Sequence, residues 1–430
     1  MARLGRIAAA SALTLAAVST VLGGVPASAD ALPVVQPRTE TAPNFDDDPG
    51  GNADADDPAI WVHPTNPDRS VVVGTLKNGG LTVVGLNGRQ LQHIAAPPAG
   101  RFNNVDIIQG ARFADRVLDI AVVTDRGRDR LRVYGIDPRG ADAGSAVLTD
   151  ITTASPRLLF SASEAEVEEQ RTGYGTTVWP DPAGGAPFVV VSRRHETRLA
   201  VFRMRSDSTG KIGYVPSAQI DLPATFTVGG AEWTPCAEPG ERPQVEGMVV
   251  DGVANVLYAA QEDVGVWRIP LQAGGFGTPE LVERVREFGQ PATYDATKEE
   301  CVPTGPPAAE AGTRLSADAE GLTVAYNGDG TRTLVASSQG DSTFSAFAIT
   351  DTGITATGRF RVGRGYRIDG VQHSDGAAVT TAPLGRAFPN GLLVVHDGEN
   401  TPAVSDGGET RPNTNFKFVR WDEVTCVLGS

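Results

Sequence analysis

One unit recurs six times along this chain, and that recurrence limits the folds open to it. Each copy is an apolar strand, a short polar loop, then a strand of alternating character. The first three copies are SVVVGTLKNGGLTVVGL from Ser70, LDIAVVTDRGRDRLRVYGI from Leu118 and FVVVSRRHETRLAVFRM from Phe188. VLYAAQEDVGVWRIPL from Val256, TLVASSQGDSTFSAFAI from Thr333 and GLLVVHDGEN from Gly391 follow, the last finishing in NFKFVRW at 415–421. A shorter strand with a polar lead-in precedes each copy: DDPAIWV, NNVDII, YGTTVW, VEGMVV, AEGLTV and IDGVQH. A strand plus a hairpin, repeated at a spacing of roughly 50–70 residues, is the signature of a β-propeller, whose units bury their faces only against one another. Helical periodicity is weak outside SASEAEVEEQ (161–170), and 50 glycines and 30 prolines supply the breaks between strands. The sequence therefore predicts an all-β, single-domain, six-bladed β-propeller over 45–430, preceded by a flexible segment over 30–44. A pair of β-sandwiches would leave unexplained why polar residues return at the same place in each unit.

The first 29 residues predict a secretory signal peptide. Arg3 and Arg6 form a basic start, a small-apolar run follows, and Ala27-Ser28-Ala29 is a cleavage site of the A-x-A type. That run is short and rich in Ala, Ser and Thr, which disfavours a membrane anchor. No later segment is apolar enough to span a bilayer, so the expectation is a secreted protein with no membrane partner. Removing two basic residues takes the formal charge from −15 to −17. Such acidity excludes nucleic acid as a partner, and it would repel an anionic substrate unless cations intervened. An exported chain permits disulfides. Cys236 and Cys301 lie in Pro/Gly/Glu-rich stretches that read as insertions and are paired here, which leaves Cys426 free; three reduced thiols remain the alternative.

In a propeller, the lead-ins and the loops between second and third strands open at one end. The lead-ins contribute Asp56, Asp57, Asn104, Tyr174, Glu246, Asp318, Glu320 and Asp369. The hairpin loops contribute Lys77, Arg126, Arg194, Glu262, Asp263, Gln339, Asp341, Asp397, Glu399 and Asn400. This set is rich in carboxylates and poor in Cys and His, which suits Ca²⁺ and not zinc. Crowded acids repel one another unless cations bind among them. The bases come from the first three units and most acids from the last three, a pairing suited to a substrate with several phosphates. Singly, each acid reads as a turn former or an exposed charge. His195 and His373 read as polar rim residues, NGDGT (327–331) as a hairpin turn, and no G-x-S-x-G elbow is present.

DADDPAIWVHP, GRFNNVDI, PQVEGM, LYAAQED, AEGLTV, LVASSQGDS, HDGEN and NFKFVRW, in this order between Asp54 and Trp421, resemble the β-propeller phytases. The resemblance implies calcium-dependent hydrolysis of phytate (myo-inositol hexakisphosphate), with a metal-activated water attacking phosphorus in line at a cleavage site beside a second, affinity site for a neighbouring phosphate. It implies a phosphoric monoester hydrolase of the 3-phytase type, acting on phytate in its calcium complex; because a closed propeller has no obligatory partner, the expectation is a monomer. Matched by position, Asp56, Glu246, Glu262, Asp318 and Glu320 correspond to active-site calcium ligands. Lys77 and Tyr174 correspond to residues that hold the phosphate being cleaved, and Gln339 to the mouth of the fifth blade. Arg126 and Arg194 correspond to the affinity site, where His195 adds to the basic character. Asp369 and Asp375 correspond to a metal-binding acidic loop, with Asp369 also assigned to catalysis. Asp57 corresponds to a structural calcium site, and Glu399 and Asn400 complete another with Asp369. A calcium propeller lactonase or sugar-ester hydrolase is the other enzyme class the fold admits, and a non-catalytic binding propeller the third reading.

Overall fold

A computed structural model describes residues 32–45, 54–113, 116–144, 146–272, 274–406 and 408–429. The signal-peptide reading of residues 1–29 falls outside these. Six antiparallel sheets follow one another along the chain. Blade 1 holds Pro58–Trp61, Val71–Thr75, Leu81–Gly85 and Gln90–Ile94, and blade 2 holds Phe102–Phe113, Arg116–Asp125, Arg130–Ile136 and Leu148–Asp150. Blade 3 holds Gly173–Trp179, Phe188–Arg193, Arg198–Ser206 and Ile212–Asp221; blade 4 holds Val245–Asp251, Val256–Gln261, Gly265–Gln272 and Glu280–Arg284. Blade 5 holds Ala319–Tyr326, Arg332–Ser338, Thr343–Ile349 and Ile354–Val362. Blade 6 holds Ala377–Thr380, Leu392–Asp397 and Asn413–Arg420. The first strands of successive blades touch in sequence, and Ala377–Thr380 touches Pro58–Trp61, so the ring of six closes.

Second strands such as Val71–Thr75, Val256–Gln261 and Leu392–Asp397 are buried at every position. They carry runs of apolar residues on both faces because each blade packs between two others, and the apolar clusters accordingly lie between blades. Trp61 and Trp179, at equivalent ends of two inner strands, each donate the indole N–H across a blade boundary, to Asp119 (2.8 Å) and Asn255 (3.1 Å).

Three expectations are corrected. The segment over 30–44 is not a flexible leader in its described part. Val34–Val35 runs parallel to Arg361–Val362 of blade 5, and Pro37–Glu40 forms the outer strand of blade 6 against Asn413–Arg420. Pro37–Glu40 thus completes the last blade. The inner strand of blade 6 is also not IDGVQH. That stretch is a loop, and the strand begins at Ala377, paired with Val395. Trp421 ends no strand; it opens the helix Trp421–Leu428, which packs on blade 5 and the N-terminal strand. Only Glu164–Val167 of the SASEAEVEEQ stretch is helical, capped by Ser163.

Cys236 and Cys301 are disulfide-bonded, with Cα atoms 6.0 Å apart, and Cys426 is free. Asn327 to Thr331 form the expected hairpin turn, with Asp329 accepting from both the amide and the hydroxyl of Thr331. Among the described residues no helix is long and apolar enough to cross a membrane.

Candidate active site

The inner strands carry a common irregularity that builds the site. Pairing with the second strand slips between Phe102 and Val105, Gly173 and Thr176, Val245 and Met248, and Ala319 and Leu322. Each slip inserts one residue, and a bulge re-aims the side chain at that place. The residues so placed are Asn103, Tyr174, Glu246 and Glu320. Asp56 and Asp375 stand at the matching positions of blades 1 and 6, where Gly376 donates to the Asp56 carbonyl (3.3 Å). The residue after Tyr174, Glu246, Glu320 and Asp375 is glycine each time, and packing requires it. A Cβ on Gly175 would overlap the carbonyl of Glu246, one on Gly247 that of Glu320, and one on Gly321 that of Asp375. Six side chains from six blades therefore meet around the axis at one end.

Three of the acids come closest. Glu246, Glu262 and Glu320 are buried, and each offers an oxygen within 4.8 Å of the others. Glu246 is held: Asn103 Nδ2 donates to Oε1 at 2.5 Å and the Tyr174 hydroxyl donates to Oε2 at 2.5 Å. Both Glu262 oxygens accept from Gln244 Nε2 at 3.0 Å. Glu320 Oε2 is buried without a hydrogen-bond partner, as is Asp56 Oδ2. Burial, joined by the charges of Glu246 and Glu262, pushes the Glu320 carboxyl well above its ordinary range. Burial and Asp318 do the same to Glu262, and burial with Asp375 raises Glu246. Asp318 is pushed up to about 6, and its neighbour Asp263 to about 7, chiefly by burial. Buried, unpaired carboxylate oxygens converging from separate blades fit a hard divalent cation, which would relieve both their desolvation and their repulsion.

The basic side lies across the ring. Lys77 pairs with Asp54 at 3.0 Å and faces Asp56 at 3.6 Å. Burial works against its charge, but Asp56, Asp375 and Asp54 outweigh that and keep the ammonium protonated. Arg126 donates to Asn103 Oδ1 at 2.7 Å and its guanidinium carbon lies 5.5 Å from the centre of the Tyr174 ring. Burial raises the Tyr174 hydroxyl, so it stays a donor to Glu246. The Arg194 backbone is fixed by the Thr172 carbonyl at 2.8 Å.

Other expected residues are placed differently. His195 does not add positive charge. Its Nδ1 lies 2.8 Å from Glu241, and burial with the charges of Arg194, Arg171 and Arg126 brings its pKa down to about 4. It is neutral at neutral pH. Gln339 is tied to Asp375, whose other oxygen faces His396 at 3.5 Å. Asp57 accepts from the Val105 amide at 3.0 Å and is raised by burial. Asp369 is not in the ring. It binds the ammonium of Lys417, along with the amide (2.6 Å) and hydroxyl (2.8 Å) of Thr401. Lys417 is fully buried and also meets Asp397 at 2.8 Å, Asn400 Oδ1 at 2.9 Å and Glu40 at 3.3 Å. These groups together surround the Lys417 ammonium. Glu399 points out to solvent, 3.4 Å from His373. Asp341 is likewise spoken for, by Arg286, Arg359, Ser338 and Thr343.

Reading the sequence missed Asn103, Asp54 and Gln244, which orient Glu246, Lys77 and Glu262. The N-N pair in NNVDI offered a signal for the first, because Asn103 occupies the position that holds the acid in four other blades.

Comparison with known proteins bears on the family of this chain. A family model described as Phytase matches residues 3–157 and 293–430, together more than half of the chain. The 3-phytase of Bacillus subtilis (strain 168) is 30% identical over 397 residues, covering 92% of this chain and 85% of the relative. Among solved structures, the calcium-binding protein regucalcin from Agrobacterium tumefaciens is 13% identical, with a TM-score of 0.43 over 91% of this chain and 97% of that one. A luciferin-regenerating enzyme is 8% identical, with a TM-score of 0.42 over 88% of this chain and 96% of its own. Likenesses that faint bear on neither fold nor chemistry. The match to the family model and the extended identity to a curated relative show that the chain belongs to the phytase family.

Proposed function

We propose that this protein hydrolyses phytate to lower inositol phosphates and inorganic phosphate in a calcium-dependent reaction, as a phosphoric monoester hydrolase of the 3-phytase type. The observation that carries this reading is the cluster of Glu246, Glu262 and Glu320, with an unpartnered buried oxygen on Glu320, facing a bank of Lys77, Arg126 and Arg194. The chemistry that calcium supplies when bound there is charge neutralisation and Lewis-acid activation. The relative's printed activity, 3-phytase, supports the same substrate.

The chain's own residues have separable tasks. Glu246, Glu262, Glu320, Asp318 and Asp56 hold the cations. Lys77, kept charged by its acidic neighbours, holds an oxygen of the phosphoryl group that is cleaved. Tyr174 keeps its proton and fixes Glu246 in one rotamer, so that the ligand set is formed before substrate arrives. Arg126 and Arg194 take a neighbouring phosphate, and this second contact orients the first phosphate for in-line attack by water. A lactonase or sugar-ester hydrolase has no use for such a basic bank, and a plain binding module has none for strained, unpaired carboxylates. The basic start, apolar run and A-x-A site of residues 1–29 support secretion, and ring closure within one chain supports a monomer.

The test is incubation of the purified protein with phytate and calcium, with products followed by ³¹P NMR. Inorganic phosphate and a pentakisphosphate lacking its 3-phosphate are expected. Intact phytate under these conditions would overturn the reading, and a different first product would overturn the 3-phytase assignment alone.

A further inference from the structure

Arg101 lies between the two loops that carry the basic side of the site. Its carbonyl accepts from the Arg126 amide at 2.8 Å, and its own amide donates to Asp125 Oδ1 at 3.1 Å. The next residue, Phe102, donates its amide to the Lys77 carbonyl at 2.9 Å. The Arg101 side chain is half-buried, and Nη1 donates to Asn78 Oδ1 at 3.1 Å. Asn78 follows Lys77, so this bond ties the Arg101 side chain to the loop that carries Lys77. Asn103, two residues on, fixes the guanidinium of Arg126. Residues 77–78, 101–103 and 126 thus form one continuous strip bordering the ring of acids, with Arg194 of the next blade beyond it.

We propose that Arg101 is a further substrate-binding residue, which joins Arg126 and Arg194 in gripping the phosphate next to the one cleaved and so selects polyphosphorylated substrates. This rests on the phytase reading and names a determinant of its specificity. Guanidinium groups suit the role because each presents a planar fork to phosphate oxygens. Burial, with the charges of Arg126 and Arg194, brings the Arg101 pKa down to about 10, which leaves it cationic at neutral pH. The same two influences, burial and Arg126, lower Arg194. Cations that disfavour one another in the free protein gain most from an anion placed among them, so the free energy of relieving that repulsion appears as affinity. A monoester reaches only the cleavage position and gains little from this.

The test compares wild type with Arg101→Gln and Arg101→Lys in saturating calcium. Loss of one charge-assisted contact is expected to raise KM for phytate about tenfold in Arg101→Gln, and kcat to fall by far less. The loss in kcat/KM for phytate should exceed that for a simple phosphate monoester by about tenfold, and Arg101→Lys should recover most of it. A KM for phytate within about twofold of wild type, or equal losses for phytate and monoester, would overturn the proposal. Calorimetric titration of phytate into each calcium-loaded protein separates this from the parent reading. A wild type that binds phytate without releasing phosphate overturns the function, and the ratio of dissociation constants still decides the role of Arg101. A wild type that binds no phytate overturns both.

Discussion

Glu320→Gln is expected to make the calcium-free protein more stable while abolishing its activity. Glu320 has one buried oxygen without a partner and lies within 4.8 Å, oxygen to oxygen, of Glu246 and Glu262. At that separation two full charges repel by about 3 kcal/mol, taking an effective dielectric constant of about 20. The full amount for two pairs is not realised, because burial and mutual repulsion already push these carboxyls toward protonation. A net gain of about 1–3 kcal/mol on removing one charge is the reasonable expectation, with a rise of about 1–4 °C in Tm for a domain of this size. The assay is thermal unfolding of wild type and variant, each in chelator and in millimolar calcium. In chelator the variant should melt higher. With calcium the order should reverse, because wild type gains binding free energy that the variant lacks. Phosphate release from phytate should fall at least about 100-fold, the usual cost of losing one group that stabilises transition-state charge. A variant that melts lower than wild type in chelator would refute the reasoning, since Glu320 would then be a structural hydrogen-bonding residue and not a strained ligand.

Other outcomes follow from the same geometry. Gly247→Ala should cut activity sharply without unfolding the protein, because its Cβ would displace the Glu320 backbone; circular dichroism and phosphate release together check this. Lys417→Met should cost about 3–5 kcal/mol in chemical denaturation, because it leaves Asp369, Asp397 and Glu40 around an unfilled cation position. The chelated protein should lose stability as pH rises from about 4 to about 7. Asp318 titrates at about 6 and Asp263 at about 7 in the folded state, above their unfolded values, so the folded state binds more protons across that window. Denaturation midpoints across that pH range in chelator, repeated with calcium, read the slope, and calcium should flatten or invert it.

The acids of the site were legible because the fold repeats. A carboxylate before a glycine returned in VEGM and AEGL, and the structure gives both residues a reason: the acid sits on a bulge, and the glycine admits the next blade's carbonyl. The same pattern misled in the sixth unit, where the chain offers it twice, as Asp369-Gly370 and Asp375-Gly376. Local sequence cannot choose between them. Pairing of His396 with the Gly376 carbonyl makes the choice, and that is a contact between strands. The contacts of Asp369 and Asn400 with Lys417 were illegible for a similar reason. Lys417 collects them only when the N-terminal strand sets Glu40 opposite it in register, a pairing 377 residues apart in the chain. His195 read as a base because Glu241, which holds it, lies on an insertion whose path follows no repeat.

The measurement that tests the central claim most directly is phosphate release from phytate near neutral pH through one cycle of chelation and calcium restoration, with Glu320→Gln alongside. The account expects wild-type activity in calcium, none in excess chelator, full recovery on restoration, and no activity in the variant at any stage. Release that persists in chelator, or that survives in Glu320→Gln, would contradict the claim that the ring of acids is a calcium-bearing catalytic centre.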